Sequence, residues 1–171
     1  NGKVFERVHP CLVNKNSYIA NVNGVMNAVI VKGKPVGESI LQGEGAGPGA
    51  TSSALMSDLL SILRGNIKYP FGIAYSKRKI LNAYNTDNYL NSLYLRFEVK
   101  DKPGVLSIIT KQLAVKKISV ARLIQIPNHK NKTASIVIIT HKSKEKDAQN
   151  CIKTIKSNTN ILKNPILIRL I

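Results

Sequence analysis

Acidic residues are scarce in this sequence: 9 Asp and Glu stand against 26 Lys and Arg, a formal charge of +17. Such an imbalance first suggests a nucleic-acid partner. The basic residues, however, are scattered along the chain, and only Lys77-Arg78-Lys79 and Lys116-Lys117 form tight runs. Aromatic residues are also few, at 5%, and none is interleaved with those runs as a stacking platform requires. The wealth of Asn, Ile and Lys together reads as a coding bias spread over surface positions, so the charge implies non-specific attraction to polyanions rather than specific nucleic-acid binding. Cysteine is limited to Cys11 and Cys151, too few and too far apart for a metal-ligand motif, and these are expected to be free thiols in a cytoplasmic protein. No run of about 18 apolar residues is present, which argues against a membrane-spanning helix. The start, NGKVFERVHP, has neither an initiator Met nor an apolar signal core and reads as the interior of a longer chain.

What is present divides into three stretches. Residues 1–65 alternate strand patterns with glycine turns and end in a helix. Residues 66–91 are polar, rich in Asn and Tyr, and read as a linker. Residues 92–171 alternate strands and helices regularly. In the first stretch, Val4 to Val8 predict a strand ended by Pro10. Asn27 to Val31 and Val36 to Leu41 predict a hairpin turned at Lys32-Gly33-Lys34-Pro35, with Gly33 able to supply a positive φ. Leu55, Leu59, Ile62 and Leu63 define the apolar face of a helix, with Thr51, Ser52 or Ser53 as its cap and Gly65 at its end.

In the last stretch, Leu93, Leu95, Phe97 and Val99 alternate with polar residues, the pattern of a strand with one buried face. A turn at Asp101-Lys102-Pro103-Gly104 precedes a helix from Val105 to Lys116. Strands then follow at Ser119 to Ile126 and Thr133 to Thr140, separated by a polar turn from Pro127 to Lys132. A helix capped by Ser143, with Ala148, Cys151, Ile152 and Ile155 on its core face, and a strand from Pro165 to Ile171 complete the chain. The order βαββαβ is ferredoxin-like, with two helices on one face of an antiparallel sheet. The fold class expected is therefore α+β.

The glycine cluster from Gly43 to Gly49 stands just before the first helix. Glycines there let the backbone approach a ligand, and a helix N-terminus offers N–H groups to an anion. A tight strand-to-helix turn without a ligand accounts for the same spacing equally well. No βαβ unit surrounds the cluster, so a full dinucleotide-binding fold does not follow from it. His9, His129 and His141 have no partner motif, and the two latter are expected to face solvent.

Several motifs in order carry a resemblance. Arg7-Val8-His9-Pro10, the series from Ile19-Ala20-Asn21 through Gly24-Val25-Met26-Asn27 to Val29, Gly43-Glu44-Gly45-Ala46-Gly47, and Ala50-Thr51-Ser52-Ser53-Ala54 with Asp58 resemble the C-terminal stretch of homoserine dehydrogenases. The resemblance implies residues 1–65 to be the end of a catalytic domain, made of strands plus a helix. It also implies reduction of aspartate 4-semialdehyde to L-homoserine with NADP or NAD as cofactor, and contact with that cofactor at Gly45, Ala46 and Gly47. Where the family often has proline after the first glycine and Leu-Pro-Thr-Ala-Ser after the loop, this chain has Glu44 and Gly49-Ala50-Thr51-Ser52-Ser53. A carboxylate beside a phosphate is unfavourable, so Glu44 is expected to point away. The family's dinucleotide-binding domain and its catalytic lysine would precede Asn1. No catalytic and no metal-binding residue is therefore assigned, and Lys3, Glu6 and Asp58 are expected to be surface or structural groups.

Residues 92–171 resemble an ACT domain, on the motif Asp101-Lys102-Pro103-Gly104-Val105-Leu106 between an alternating strand and a helix. The resemblance implies an amino-acid effector, threonine foremost, at Asp101, Pro103, Gly104, Val105 and Leu106, with Gln125 as a polar contact on the second strand. A helix N-terminus accepts the carboxylate of such a ligand. Asp101 reads equally well as a cap of the following helix. The expected partners are a small-molecule substrate, the effector and further copies of the chain in a dimer or tetramer, since an exposed edge strand tends to pair. A stand-alone amino-acid-sensing or dimerisation module without catalysis is the alternative reading.

Overall fold

The computed structural model describes residues 2–66, 69 and 72–171. In chain order it contains β1 (Lys3–Val4), β2 (Cys11–Leu12), β3 (Met26–Gly33), β4 (Gly37–Glu44), α1 (Pro48–Leu63), β5 (Asn82–Ala83) and β6 (Leu90–Lys100). The chain continues through α2 (Val105–Val115), β7 (Val120–Asn128), β8 (Thr133–Thr140), β9 (Ser143–Lys144), α3 (Glu145–Lys156) and β10 (Ile166–Leu170). Packing groups residues 2–13 with 81–171 in one unit and residues 14–80 in another. Residues 2–13 and the end of the polar stretch thus fold with the C-terminal unit, a division that the change in sequence character at 65 and 92 does not follow.

In the C-terminal unit β6, α2, β7, β8, α3 and β10 follow the βαββαβ order expected of an ACT domain. Their strands lie in the order β10-β6-β8-β7, all antiparallel, with the two-residue β2 added in parallel at the outer side of β10. The alternation in β6 has its predicted consequence: Leu93, Leu95, Phe97 and Val99 are buried. Across the ladder Leu95 faces Ile138 and Phe97 faces Ile136, and both partners are buried too. These side chains meet Val105, Ile109 and Leu113 of α2 and Ala148, Cys151 and Ile155 of α3, which close one core. Because side chains alternate across a strand, Tyr94, Val137 and Ile139 occupy the opposite face of the sheet, which carries no helix of this unit and leaves them half-buried. β7 forms an open edge, with Ile124 and Ile126 exposed. It runs through Pro127, where a polar turn was expected; a residue without an N–H is tolerated on an edge.

Several expected details shift for local reasons. Of the strand anticipated from Val4 to Val8 only Lys3–Val4 forms, because the ladder partner β5 is just two residues long. In the hairpin Gly33 pairs with Gly37 across the turn, and Gly37 rather than Gly33 takes the positive φ, 82°. Helix α1 begins at Pro48 with Gly47 as its N-cap, ahead of Thr51 to Ser53. Proline is preorganised for the first helical position and lacks the N–H that would go unpaired there. Ser143 lies in β9, paired with Asn91 of β6, so Lys144 rather than Ser143 is the N-cap of α3. Gly65 has φ 71° after the end of α1, the left-handed residue expected there.

Candidate functional site

The loop between β6 and α2 borders a hollow. Its chain turns sharply: the Asp101 N–H donates to the Lys132 carbonyl at 3.0 Å, and Lys102 N–H to the Lys100 carbonyl at 3.0 Å. Gly104 then adopts φ 86°, ψ −17° and serves as the N-cap of α2, without a side-chain cap. Only glycine enters that left-handed region without penalty, so the loop can end directly in a helix whose first N–H groups have no helical carbonyl to bond. The hollow, of about 390 Å³, collects all six residues assigned to effector binding: Asp101, Pro103, Gly104, Val105, Leu106 and Gln125. Val99 and Ile136, both buried, line it as well, together with Lys100 and Lys102. The Gln125 amide donates to the Asp101 carboxylate at 3.4 Å, joining the loop to β7. Asp101 therefore spends its side chain on Gln125 and not on capping α2. Chemically the hollow combines helix N–H groups and two lysines, suited to a carboxylate, with a carboxylate and a side-chain carbonyl suited to an ammonium group.

The glycine loop forms a second hollow, of about 400 Å³, lined by Glu44, Gly45, Ala50, Thr51, Ala54, Leu55 and Asp58. Gly45 donates its N–H to the Val25 carbonyl at 3.0 Å, and a Cβ at this position would fall onto the Asn27 side-chain amide. Gly47 has φ 121° with open space where a Cβ would stand. Of the three residues assigned to the cofactor, Gly45 lines this hollow and Ala46 and Gly47 stand beside it in the chain. Glu44 and Asp58 are the two acidic residues among those that line the hollow. Open space at Gly47 lets a ligand approach the backbone there, and acidic side chains suit hydroxyl and amide donors better than phosphates.

The comparisons with known proteins decide the family. A family profile described as homoserine dehydrogenase matches residues 2–60. The chain is 36% identical to the homoserine dehydrogenase of Neisseria gonorrhoeae over 99% of its length and 40% of that protein's. It is 33% identical to the homoserine dehydrogenase of Helicobacter pylori, over 96% of the chain and 38% of the relative. A crystal structure of a homoserine dehydrogenase from Thiobacillus denitrificans superposes on all of this chain and 40% of its own, with a TM-score of 0.85 and 30% identity.

The chain belongs to the homoserine dehydrogenase family. It spans about 40% of the length of the relatives it matches, corresponding to their C-terminal portion.

Within this homoserine dehydrogenase portion, the sequence reading missed one polar centre altogether. Glu145 opens α3 and is 1% exposed. Its carboxylate accepts hydrogen bonds from Asn91 Nδ2 at 3.1 Å, Gln149 Nε2 at 3.0 Å and Arg169 Nε at 3.1 Å, a closer one from Arg169 Nη2, and one from Arg7 Nη1 at 3.4 Å. Burial pushes the Glu145 pKa up. The hydrogen bonds from Arg169 and Gln149, with the charges of Arg169 and Arg7, outweigh it and hold the carboxyl below its ordinary range. Arg7 lies 138 residues from Glu145, and nothing in local spacing points to their pairing. The one sequence feature available was an acidic residue in a first helical turn, where the dipole favours it.

His9 Nδ1 lies 2.9 Å from the Pro10 carbonyl, and His129 and His141 are exposed. Lys3, Glu6 and Asp58 are exposed too. Both cysteines are free, and burial pushes the Cys151 thiol up to about 11 against the opposing charge of Lys116. No cluster of His, Cys, Asp or Glu able to hold a metal occurs among the described residues, and none of their helices is long and apolar enough to cross a membrane.

Proposed function

We propose that the chain is the regulatory end of an NAD(P)H-dependent homoserine dehydrogenase. In this reading the whole enzyme reduces aspartate 4-semialdehyde to L-homoserine, on the route to threonine, methionine and isoleucine. The observation that carries the regulatory half is the gathering of six residues from two elements around the α2 hollow. There the N-terminus of α2, with Lys100 and Lys102, takes the carboxylate of an amino acid, Asp101 and the Gln125 carbonyl take its ammonium group, and Val99 and Ile136 face its side chain. Threonine, the end product of one branch, is the effector favoured. NADP or NAD supplies the hydride in the complete enzyme, with Gly45, Ala46 and Gly47 beside it. The open β7 edge and the helix-free sheet face support assembly of the chain into a dimer or tetramer.

A thermal-shift titration with threonine, methionine, isoleucine, serine and lysine tests the regulatory reading. A ligand that binds only the native state stabilises it by about 2.7 kcal/mol at a hundred times its dissociation constant. The expected result is a saturable rise in Tm with threonine that Asp101→Ala abolishes. No rise with any of the five leaves the alternative, an association module without an effector. The same preparation is expected to show no turnover with homoserine and NADP or NAD, since the chain spans about 40% of the relatives' length; measurable turnover would overturn that expectation.

A further inference from the structure

The Glu145 centre belongs to neither hollow, and one of its partners comes from outside the βαββαβ fold. Asn91, Gln149 and Arg169 stand on β6, α3 and β10, whereas Arg7 stands on the stretch of residues 2–13 that leads toward the hairpin. That stretch is laid along the ACT-like unit by few contacts. The Val4 carbonyl accepts from Tyr84 N–H at 2.7 Å, and the Leu12 carbonyl accepts from Ile171 N–H at 3.1 Å. The Phe5 ring stacks on Tyr89 with centroids 4.3 Å apart and 10° between planes, and the Arg7 guanidinium lies 5.5 Å from the Phe5 centroid. In β2, Cys11 is in register with Arg169, the residue whose guanidinium also grips Glu145. Apolar burial contributes little: Val4, Phe5 and Leu12 are 42%, 37% and 40% exposed, and the core of the unit includes none of them. The charged contact is the better shielded one, with the Arg7 and Glu145 side chains 15% and 2% exposed. A charge-assisted hydrogen bond in so dry a place is stronger than its counterpart in water.

We propose that residues 2–13 are a strap docked on the ACT-like unit, and that Arg7 on Glu145 is its latch. The surface formed by the start of α3, Tyr89 and the end of β10 recognises an extended segment bearing an aromatic residue two positions before an arginine. The ring seats on Tyr89, and the guanidinium completes the hydrogen bonding of a carboxylate that Arg169 already holds. Glu145 is a positioning residue in this device. It fixes the strap to the ACT-like unit at a point remote in sequence from Leu81, where the chain rejoins that unit.

Amide hydrogen exchange on the whole chain, compared with Arg7→Gln and Arg7→Lys, tests the latch. In Arg7→Gln the amides of residues 2–13, Tyr84 and Ile171 are expected to exchange roughly ten-fold faster or more, while those of β6 and β8 keep their rates. Arg7→Lys, which keeps the charge without the planar fork, is expected to fall between the two. Strap amides that exchange at the unaltered rate in Arg7→Gln overturn the proposal, as does an acceleration spread evenly over β6 and β8. Arg7→Gln leaves the Arg169–Glu145 pair in place, so the unit itself is not put at risk by the test.

Discussion

Leu95 in β6 and Leu59 in α1 hold matching places in their elements, each in the middle of an apolar face set by its own period. Leu95 is 1% exposed and Leu59 46%. The same contrast runs through the two units. Every buried apolar residue among those described lies between Leu93 and Ile155, while Val29, Val31, Leu41, Leu55, Ile62 and Leu63 of the 14–80 stretch are all exposed. Amphipathic patterning assigns a face; a core needs a second surface to set against it. In the ACT-like unit that surface is supplied within a hundred residues by two helices lying on the sheet. In the 14–80 stretch the hairpin and helix present apolar residues that stay exposed among the described residues.

That comparison can be broken most sharply with two truncations. Phe97→Ala, at a fully buried site, is expected to cost about 3–5 kcal/mol in urea unfolding, whereas Leu59→Ala is expected to stay within about 0.5 kcal/mol. Equal costs would mean that α1 is covered in solution and the contrast is false. Next in size is Glu145→Ala, which leaves Arg169 half-buried with no carboxylate and is expected to cost about 3 kcal/mol. The pH dependence has a definite sign. Because the folded carboxyl is held below its unfolded value, its contribution is fully present above the ordinary Glu range near about 4.3 and is lost as pH falls through the lower folded value. In Glu145→Ala the acid-side loss of stability, followed by denaturant melts at successive pH values, is expected to be shallower. If both chains lose stability identically, Glu145 is not a source of the acid sensitivity.

Gly104→Ala comes third, at about 1–2 kcal/mol. The added methyl meets nothing within 4 Å, so the whole cost is that of forcing a Cβ into the left-handed region. The smallest effect is chemical rather than energetic. Cys11 is expected to react with a disulfide reagent at neutral pH and Cys151 to stay protected until the unit unfolds, since a thiol raised to about 11 carries almost no thiolate. Rapid loss of both thiols in the native chain would show the α3 side of the core to be open.

The parts of the structure that could be read from sequence are those where one short period or one short turn carries the information. Leu93 to Val99 state a buried strand face within seven residues, and Asp101 to Leu106 state a turn and a helix start within six. Both fold as read, and the α2 hollow follows because Gln125 sits across the sheet from Ile136. What escaped depends on partners distant in the chain. Nothing near Glu145 announces that Arg7 and Arg169 converge on it. Nothing in the expected strand from Val4 to Val8 says that its neighbour, β5, would be only two residues long. The α1 boundary was misplaced for a local reason instead: the hydroxyls of Thr51 to Ser53 are good caps, but Pro48 after a glycine with φ 121° starts a helix sooner.

The surplus of positive charge acquires another meaning beside these exposed faces. A contiguous apolar surface on a soluble chain is ordinarily a route to self-association. A charge of +17 opposes close approach of two like molecules over the Debye length, about 10 Å at 0.1 M salt and about 3 Å at 1 M. Association of two copies through the exposed apolar residues of α1 and the hairpin is therefore expected to be stronger at high salt than at low salt.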